Sequence, residues 1–123
     1  MSTLTVSNIS DATTTVGTSY VVNGSAKAWG FFNGTGTPAF YDSLNMSSIT
    51  DHAVGQYDLN VTNAFSSANH SDIGTTANGF MVTHNSTGPA LGSASSLNCA
   101  SITSSGTYFD STYCSALGQG DLA

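Results

Sequence analysis

The residues able to do acid–base or metal chemistry are few in this 123-residue chain. It has three His, seven acidic residues that are all Asp, one Lys and no Arg. His70 and Asp72 are two positions apart and therefore share one face of a strand, as metal ligands can. We expect a solvated polar loop there instead, and we expect His84, on the strand that begins at Phe80, to lie at a surface or an interface. The sequence thus predicts no metal site and no cofactor.

Serine is too abundant in this chain for a Ser/His/Asp combination to indicate a hydrolase. Asp51 with His52, or His70 with Asp72, can be imagined as such a site in almost any fold, and no Gly-x-Ser-x-Gly elbow occurs. A glycosidase needs a pair of carboxylates, whereas these Asp residues are scattered through turn-like segments, where Asp side chains bind backbone amides. We therefore predict that the protein is not an enzyme and has no catalytic residues.

Aromatic residues in a small, polar background are the better indication of function. Residues 106–113 combine Tyr and Phe with Ser, Thr and Gly, which is typical of adaptable recognition loops. Tyr108, Phe109, Asp110 and Tyr113 are accordingly predicted to bind a receptor. The alternative is that this segment forms a last strand packed on a neighbouring subunit.

The composition favours an all-β fold. The chain is 39% hydrophobic, 10% aromatic and only 7% charged, and Ser, Thr, Asn and Gly, which are weak helix formers, dominate the rest. The aromatic content argues against disorder. Many short apolar runs separated by turn signals predict one antiparallel β-sandwich, jelly-roll-like in character.

The strand predicted at residues 26–32 is the one around which the chain is organised. It holds the only Trp and the only Lys, and an Asn-Gly-Thr-Gly turn follows it. Trp29, Phe31 and Phe32 are assigned to core or intersubunit packing. Because they cannot all point to one side of a strand, one side needs a second apolar surface, from the opposite layer or from another subunit.

A second strand shows the clearest alternation of apolar and polar residues. Tyr57, Leu59 and Val61 are predicted to face the core, with polar residues between them.

Cys99 and Cys114 either form one disulfide or remain two thiols, and a reducing cytosol favours the thiols.

Charge and hydropathy exclude two classes of partner. The net charge is −6, and Lys27 alone cannot neutralise the phosphates that nucleic-acid binding requires. No apolar run approaches the roughly 20 residues of a membrane span, and the N-terminus lacks the charged and apolar regions of a secretory signal. We expect no nucleic-acid partner, no membrane insertion and a cytoplasmic translation product.

A series of short motifs resembles small tail-fibre or receptor-binding proteins of tailed bacteriophages, notably marine and cyanobacterial ones. The motifs are Ala-Lys-Ala-Trp at 26–29, Phe-Asn-Gly-Thr-Gly at 32–36, Asp-Ser at 42–43, Asn-Met-Ser-Ser-Ile-Thr-Asp at 45–51, Gly-Gln-Tyr at 55–57 and Asn-Ala-Phe at 63–65, with further similarity at 2–9, 80–88 and 97–102. The order and spacing of the motifs carry the resemblance, which covers about residues 1–102. The chain departs from the family at Tyr41, where an Arg is common, in the turn before Tyr57, and from residue 103 onward.

The resemblance implies a virion protein, a homotrimeric β-structure displayed on the particle, without catalytic residues. We divide the chain into an arm or linker at 1–18 for docking on other virion proteins, a β-sandwich at 19–102 and a C-terminal extension at 103–123. The expected function is a tail-fibre or fibre-tip module that binds a glycan or protein of the host surface through multivalent display. The alternative is a purely structural virion protein, such as a capsid fibre, decoration or tail-adaptor subunit.

Overall fold

The computed structural model describes residues 1–83 and 93–123. Its elements are β1 Asn8–Ser10, β2 Thr15–Gly17, α1 Thr18–Gly24, β3 Ala26–Asn33, β4 Ala39–Leu44, β5 Met46–Ala53, β6 Gln56–Val61, β7 Ser71–Thr76, β8 Phe80–Thr83, β9 Ser96–Ile102 and β10 Cys114–Gln119. The predicted position of His84 lies outside the described residues. Within them, strands predominate and α1 is the one α-helix.

Eight of these strands form two four-stranded antiparallel sheets. The first sheet has the order β4-β3-β10-β7, and the second has the order β5-β6-β9-β8. The two sheets pack face to face, so the predicted antiparallel β-sandwich is confirmed. Two sheets of four strands is also the strand count of jelly rolls.

The core lies between the two sheets and is built from alternating strand positions. Its buried members are Ala28, Phe32, Tyr57, Leu59, Val61, Phe65, Leu97, Cys99, Cys114 and Ala116. The predicted inward positions of β6 are therefore confirmed. On β3, Phe32 enters the core while Trp29 and Phe31 lie on the outer face, which is the division that strand geometry requires.

The two cysteines are buried free thiols. Cys114 Sγ lies 3.5 Å from the hydroxyls of both Ser101 and Thr76. Of the two alternatives that the sequence leaves open, the structure has the unpaired thiols.

The predicted boundary at residue 102 is wrong, because the last strand belongs to the sandwich. β10 pairs with β3 on one side, where Leu117 faces Trp29, and with β7 on the other, where Leu117 faces Ile73. It occupies an interior position in the first sheet rather than an extension. Its inward residues Cys114 and Ala116 are small and fully buried.

The N-terminal residues form a small unit outside the sandwich. β1 and β2 pair as an antiparallel hairpin, and the Thr18 amide donates to Ser7 O at 2.9 Å. α1 follows at once and has no buried residue. In the described part of the chain, no helix has the length and apolar character needed to cross a membrane.

Candidate functional site: the groove beside the β9–β10 connection

An open groove lies at one end of the sandwich, beside the connection from β9 to β10. Its volume is about 410 Å³. The groove is lined by Ala77, Asn78, Thr103, Phe109, Asp110, Ser111, Thr112 and Tyr113. The first two residues belong to the turn between β7 and β8, so the wall combines two chain segments that are distant in sequence.

Three of the four predicted receptor-binding residues meet at this groove. Phe109, Asp110 and Tyr113 line it. Tyr108 forms an isolated backbone bridge with Ile102 and is half-buried. The residues lining the groove therefore include two aromatic residues, one Asp and Asn78.

The Asp110 carboxylate forms hydrogen bonds that hold the β9–β10 connection against the core. Its Oδ1 atom accepts a hydrogen bond from the Gly55 amide at 2.7 Å and lies 3.0 Å from the Tyr57 hydroxyl. The same hydroxyl lies 2.9 Å from Gly34 O. Burial, followed by the hydrogen bond to Asp110, raises the pKa of the Tyr57 phenol above its ordinary value. The carboxylate predicted for recognition thus has a structural role as well.

Gly55 allows the β9–β10 connection to lie close to the β5–β6 turn. It adopts φ +67°, a left-handed conformation that favours glycine. A Cβ at this position would lie 2.6 Å from Phe109 O and 2.8 Å from Ser101 O. Both contacts are with backbone, which cannot easily move aside, so only glycine fits beneath Phe109.

Ser111 is a site residue that no sequence pattern singles out. It is buried, and its carbonyl accepts a hydrogen bond from the Gly34 amide at 2.8 Å. Its hydroxyl lies 3.3 Å from both Ala77 O and Tyr113 O. Ser111 therefore connects the β3–β4 turn with the β7–β8 turn and with the residue that precedes β10.

Three aromatic rings form a cluster where the groove meets the outer face of the first sheet. Tyr113 stacks on Phe31, with ring centroids 6.1 Å apart and an interplanar angle of 12°. Tyr41 lies 5.0 Å from Phe31 and 5.9 Å from Tyr113. The Tyr41 hydroxyl also donates to Thr112 O at 3.2 Å. We call Phe31, Tyr41 and Tyr113 the aromatic cluster.

The expectation of a solvated loop at His70 and Asp72 is wrong. Their side chains are 2% and 1% exposed, and His70 Nδ1 lies 2.7 Å from Asp72 Oδ1. His70 Nε2 lies 2.9 Å from Ser93 O, and Phe65 stacks on the ring at 4.2 Å. The Ser93 carbonyl is only an acceptor, so Nε2 carries a proton that it donates there. Because Nε2 already donates to this carbonyl and the ring is buried, His70 does not suit the role of a general base.

Groups of three or more potential metal-ligating side chains are absent from residues 1–83 and 93–123. The second His–Asp pair, His52 with Asp58, joins Nε2 and Oδ2 at 3.1 Å on the outer side of the second sheet. The aromatic and polar residues that line the groove can hold a ligand by ring faces and hydrogen bonds. Comparisons with protein-family models, with curated proteins and with solved structures find no match.

Proposed function

We propose that this chain is a binding module of a bacteriophage virion, a tail-fibre or fibre-tip protein that contacts the host cell surface. The contact region is the groove beside the β9–β10 connection, and its partner is a glycan or a protein of that surface. The motif series between residues 2 and 102 suggests the virion. The groove itself, with Phe109, Asp110 and Tyr113 on its wall, is the observation that supports a binding role.

The chemistry of the groove suits recognition rather than turnover. Aromatic rings give contact area at a low cost in side-chain entropy, and neighbouring amide and hydroxyl groups add hydrogen bonds. The Asp110 contacts with Gly55 and Tyr57 hold the wall in place before a ligand arrives. A preformed wall lowers the ordering cost of binding, and display of many copies raises the avidity of weak single contacts.

Tyrosine variants test this proposal. The labelled protein is measured for adsorption to a panel of bacterial strains as wild type, Tyr113→Ala, Tyr108→Ala and Tyr20→Ala. Tyr20 is an exposed tyrosine of α1, far along the chain from the groove, and is the matched control. We expect Tyr113→Ala to weaken adsorption about tenfold or more, as removal of an aromatic anchor does, with Tyr20→Ala unchanged. Equal adsorption by all the variants would contradict a role for the groove.

A purely structural virion role is the second candidate, and the N-terminal unit supports it. Between the N-terminal strands and α1 lies a second open groove of about 410 Å³, and most of its lining residues are apolar. The lining is Leu4, Thr5, Val6, Ile9, Thr18, Val21 and Val22. Deletion of residues 1–18 tests docking: loss of incorporation into particles, together with no cell adsorption by the intact free protein, favours the structural role over the receptor-binding one.

A further inference from the structure

The groove beside the β9–β10 connection and the aromatic cluster form one continuous surface, because Tyr113 belongs to both. Tyr113 lines the groove, and its ring stacks on Phe31 in the cluster. Tyr41 extends the surface, with its ring centroid 5.9 Å from that of Tyr113. Tyr41 and Tyr113 are 51% and 56% exposed, so both rings have surface that a ligand can contact. A ligand of the groove can therefore continue onto the cluster.

The charged residues of this surface are acidic. Among the described residues that line the groove, the one that carries a charge is Asp110. Asp42 lies on the side of the cluster, paired with Phe31 across β4 and β3. The chain has one Lys and no Arg. Lys27, near the start of β3, lies roughly 20 Å along the strand from Asn33 at the groove end. Because the Debye length is about 10 Å at 0.1 M salt, Lys27 does not offset these carboxylates.

Asp110 supplies a fixed hydrogen-bond acceptor on the groove wall. Its Oδ1 atom lies 2.7 Å from the Gly55 amide nitrogen and 3.0 Å from the Tyr57 hydroxyl. Neither contact uses Oδ2, and the residue is exposed, so Oδ2 can accept a hydrogen bond from a ligand. An ionised carboxylate only accepts hydrogen bonds. It therefore suits the hydroxyl groups of a sugar and repels a phosphate or a second carboxylate.

We propose that the ligand of this surface is a glycan without acidic groups, bound along more than one sugar unit. Resting on the proposed function, this assignment narrows the partner from a glycan or a protein to one chemical class. The C–H groups of one sugar stack on the negatively polarised ring faces of Tyr41 and Tyr113, and hydroxyl groups of a neighbouring sugar donate to Asp110.

The size of the groove favours a glycan over a folded protein. Its volume of about 410 Å³ falls within the roughly 300–1,000 Å³ of sites for small ligands. A stable protein partner covers a patch of roughly 800 Å² on each side. A concave site of this volume, with ring faces on one side of it, fits a short stretch of a polysaccharide chain.

Competition with fractionated polysaccharide tests this assignment on any strain to which the labelled protein adsorbs. Anion exchange separates the surface polysaccharide of that strain into an unretained, non-acidic fraction and a retained, acidic fraction. We expect the non-acidic fraction alone to compete. Periodate oxidation of the cells should weaken adsorption, and protease treatment should leave it unchanged. Adsorption should also change little with salt, because no ion pair contributes to it.

Substitutions at Tyr41 test the continuation onto the aromatic cluster. Tyr41→Ala should weaken adsorption about tenfold, as removal of an aromatic anchor does. Tyr41→Phe keeps the ring and loses only the hydroxyl bond to Thr112 O, so its adsorption should stay close to that of wild type. Tyr20→Ala, at an exposed position of α1, is the control and should adsorb as wild type does.

Several results would overturn the glycan assignment and leave the host-surface proposal intact. Competition by the acidic fraction, or by neither fraction, is one of them. Adsorption that is lost with protease but survives periodate is another, and it indicates a protein receptor. Equal adsorption by wild type and Tyr41→Ala would overturn the continuation onto the cluster. Absence of adsorption to every strain would instead contradict the proposed function, and the glycan assignment with it.

Discussion

The phenol of Tyr57, at the centre of the second sheet, lies 3.0 Å from the carboxylate of Asp110, which belongs to the connection between the two sheets. Tyr57 is fully buried, and Asp110 lines the groove. This contact joins the core to the candidate recognition segment. The segment is therefore held on the sandwich by side chains from its interior, in addition to its own backbone.

Tyr57→Phe should destabilise the protein by about 1–3 kcal/mol, because it leaves Gly34 O and Asp110 without the hydroxyl that bonds them. Chemical denaturation measures the free energy of unfolding. Hydrogen exchange should also show faster exchange for amides near Asp110. Tyr20→Phe, at an exposed position, is the control and should stay within about 0.5 kcal/mol of wild type. Equal stability of the Tyr57 variant and wild type would show that the hydroxyl contacts contribute nothing.

The two His–Asp pairs should differ sharply in their contributions to stability. His70→Ala removes a buried ring bonded to Asp72 and Ser93 O, so we expect a loss of about 2–4 kcal/mol. His52→Ala breaks a pair whose side chains are 29% and 17% exposed, for which we expect less than about 1 kcal/mol. Parallel urea titrations compare the two variants. A similar loss for both would contradict the buried role of His70.

Some features of the fold follow from local sequence patterns, and others do not. The alternation at Tyr57, Leu59 and Val61 predicts both a strand and its buried face, because the period of two is a local property of the chain. The spacing of His70 and Asp72 likewise predicts a shared face. Their burial depends on Phe65 and Ser93, which no local pattern connects to them.

β10 shows why the remainder of the fold could not be read from the sequence. Its residues Cys114, Ala116 and Gly118 are small, and its local β-propensity is weak. Small residues are needed because a Cβ at Gly118 would lie 2.7 Å from Leu97 and 2.8 Å from Phe65. β10 needs small residues because the opposite sheet lies so close to it. This requirement arises from tertiary packing and not from the local sequence.

α1 and the groove illustrate the same limit. The helix Thr18–Gly24 contains two adjacent valines, which favour a strand by local propensity. At the groove, Phe109, Asp110 and Tyr113 come from the one short segment that composition singles out. Asn78, which also lines the groove, comes from the turn between β7 and β8, and only the three-dimensional fold brings it there.

Neither thiol should react with a thiol reagent while the protein is folded. Cys99 and Cys114 are both 1% exposed, and burial, with lesser effects of nearby charges, raises the pKa of the Cys99 thiol. Titration with Ellman's reagent should therefore count no reactive thiol in buffer and two in denaturant. A count of zero in denaturant without reductant would mean that the thiols are bridged in solution.

The turn of the N-terminal hairpin should loosen only in strong acid. Asp11 accepts hydrogen bonds from the Thr14 amide and from the amide and hydroxyl of Thr13, which lower the pKa of its carboxyl to about 2. Because this pKa lies below that of the unfolded chain, the stabilisation is complete above about pH 4. It is lost as the pH falls through about 2.

An NMR titration checks this prediction. The Asp11 carboxyl shift and the Thr13 and Thr14 amide shifts should move together, with a midpoint near pH 2. Asp11→Asn retains an acceptor oxygen and should abolish the acid transition at those amides. A midpoint near the ordinary value of about 4 would show that the turn does not hold these bonds in solution.

The proposed binding of this chain to a bacterial surface is tested by adsorption of the purified, fluorescently labelled protein to a panel of bacterial strains. Competition with surface polysaccharide purified from any strain that binds then follows. We predict saturable binding restricted to particular strains and weakened by Tyr113→Ala. If the folded protein shows saturable binding to none of the strains, the receptor-binding proposal is contradicted. The structural virion role then remains, with residues 1–18 as the docking arm.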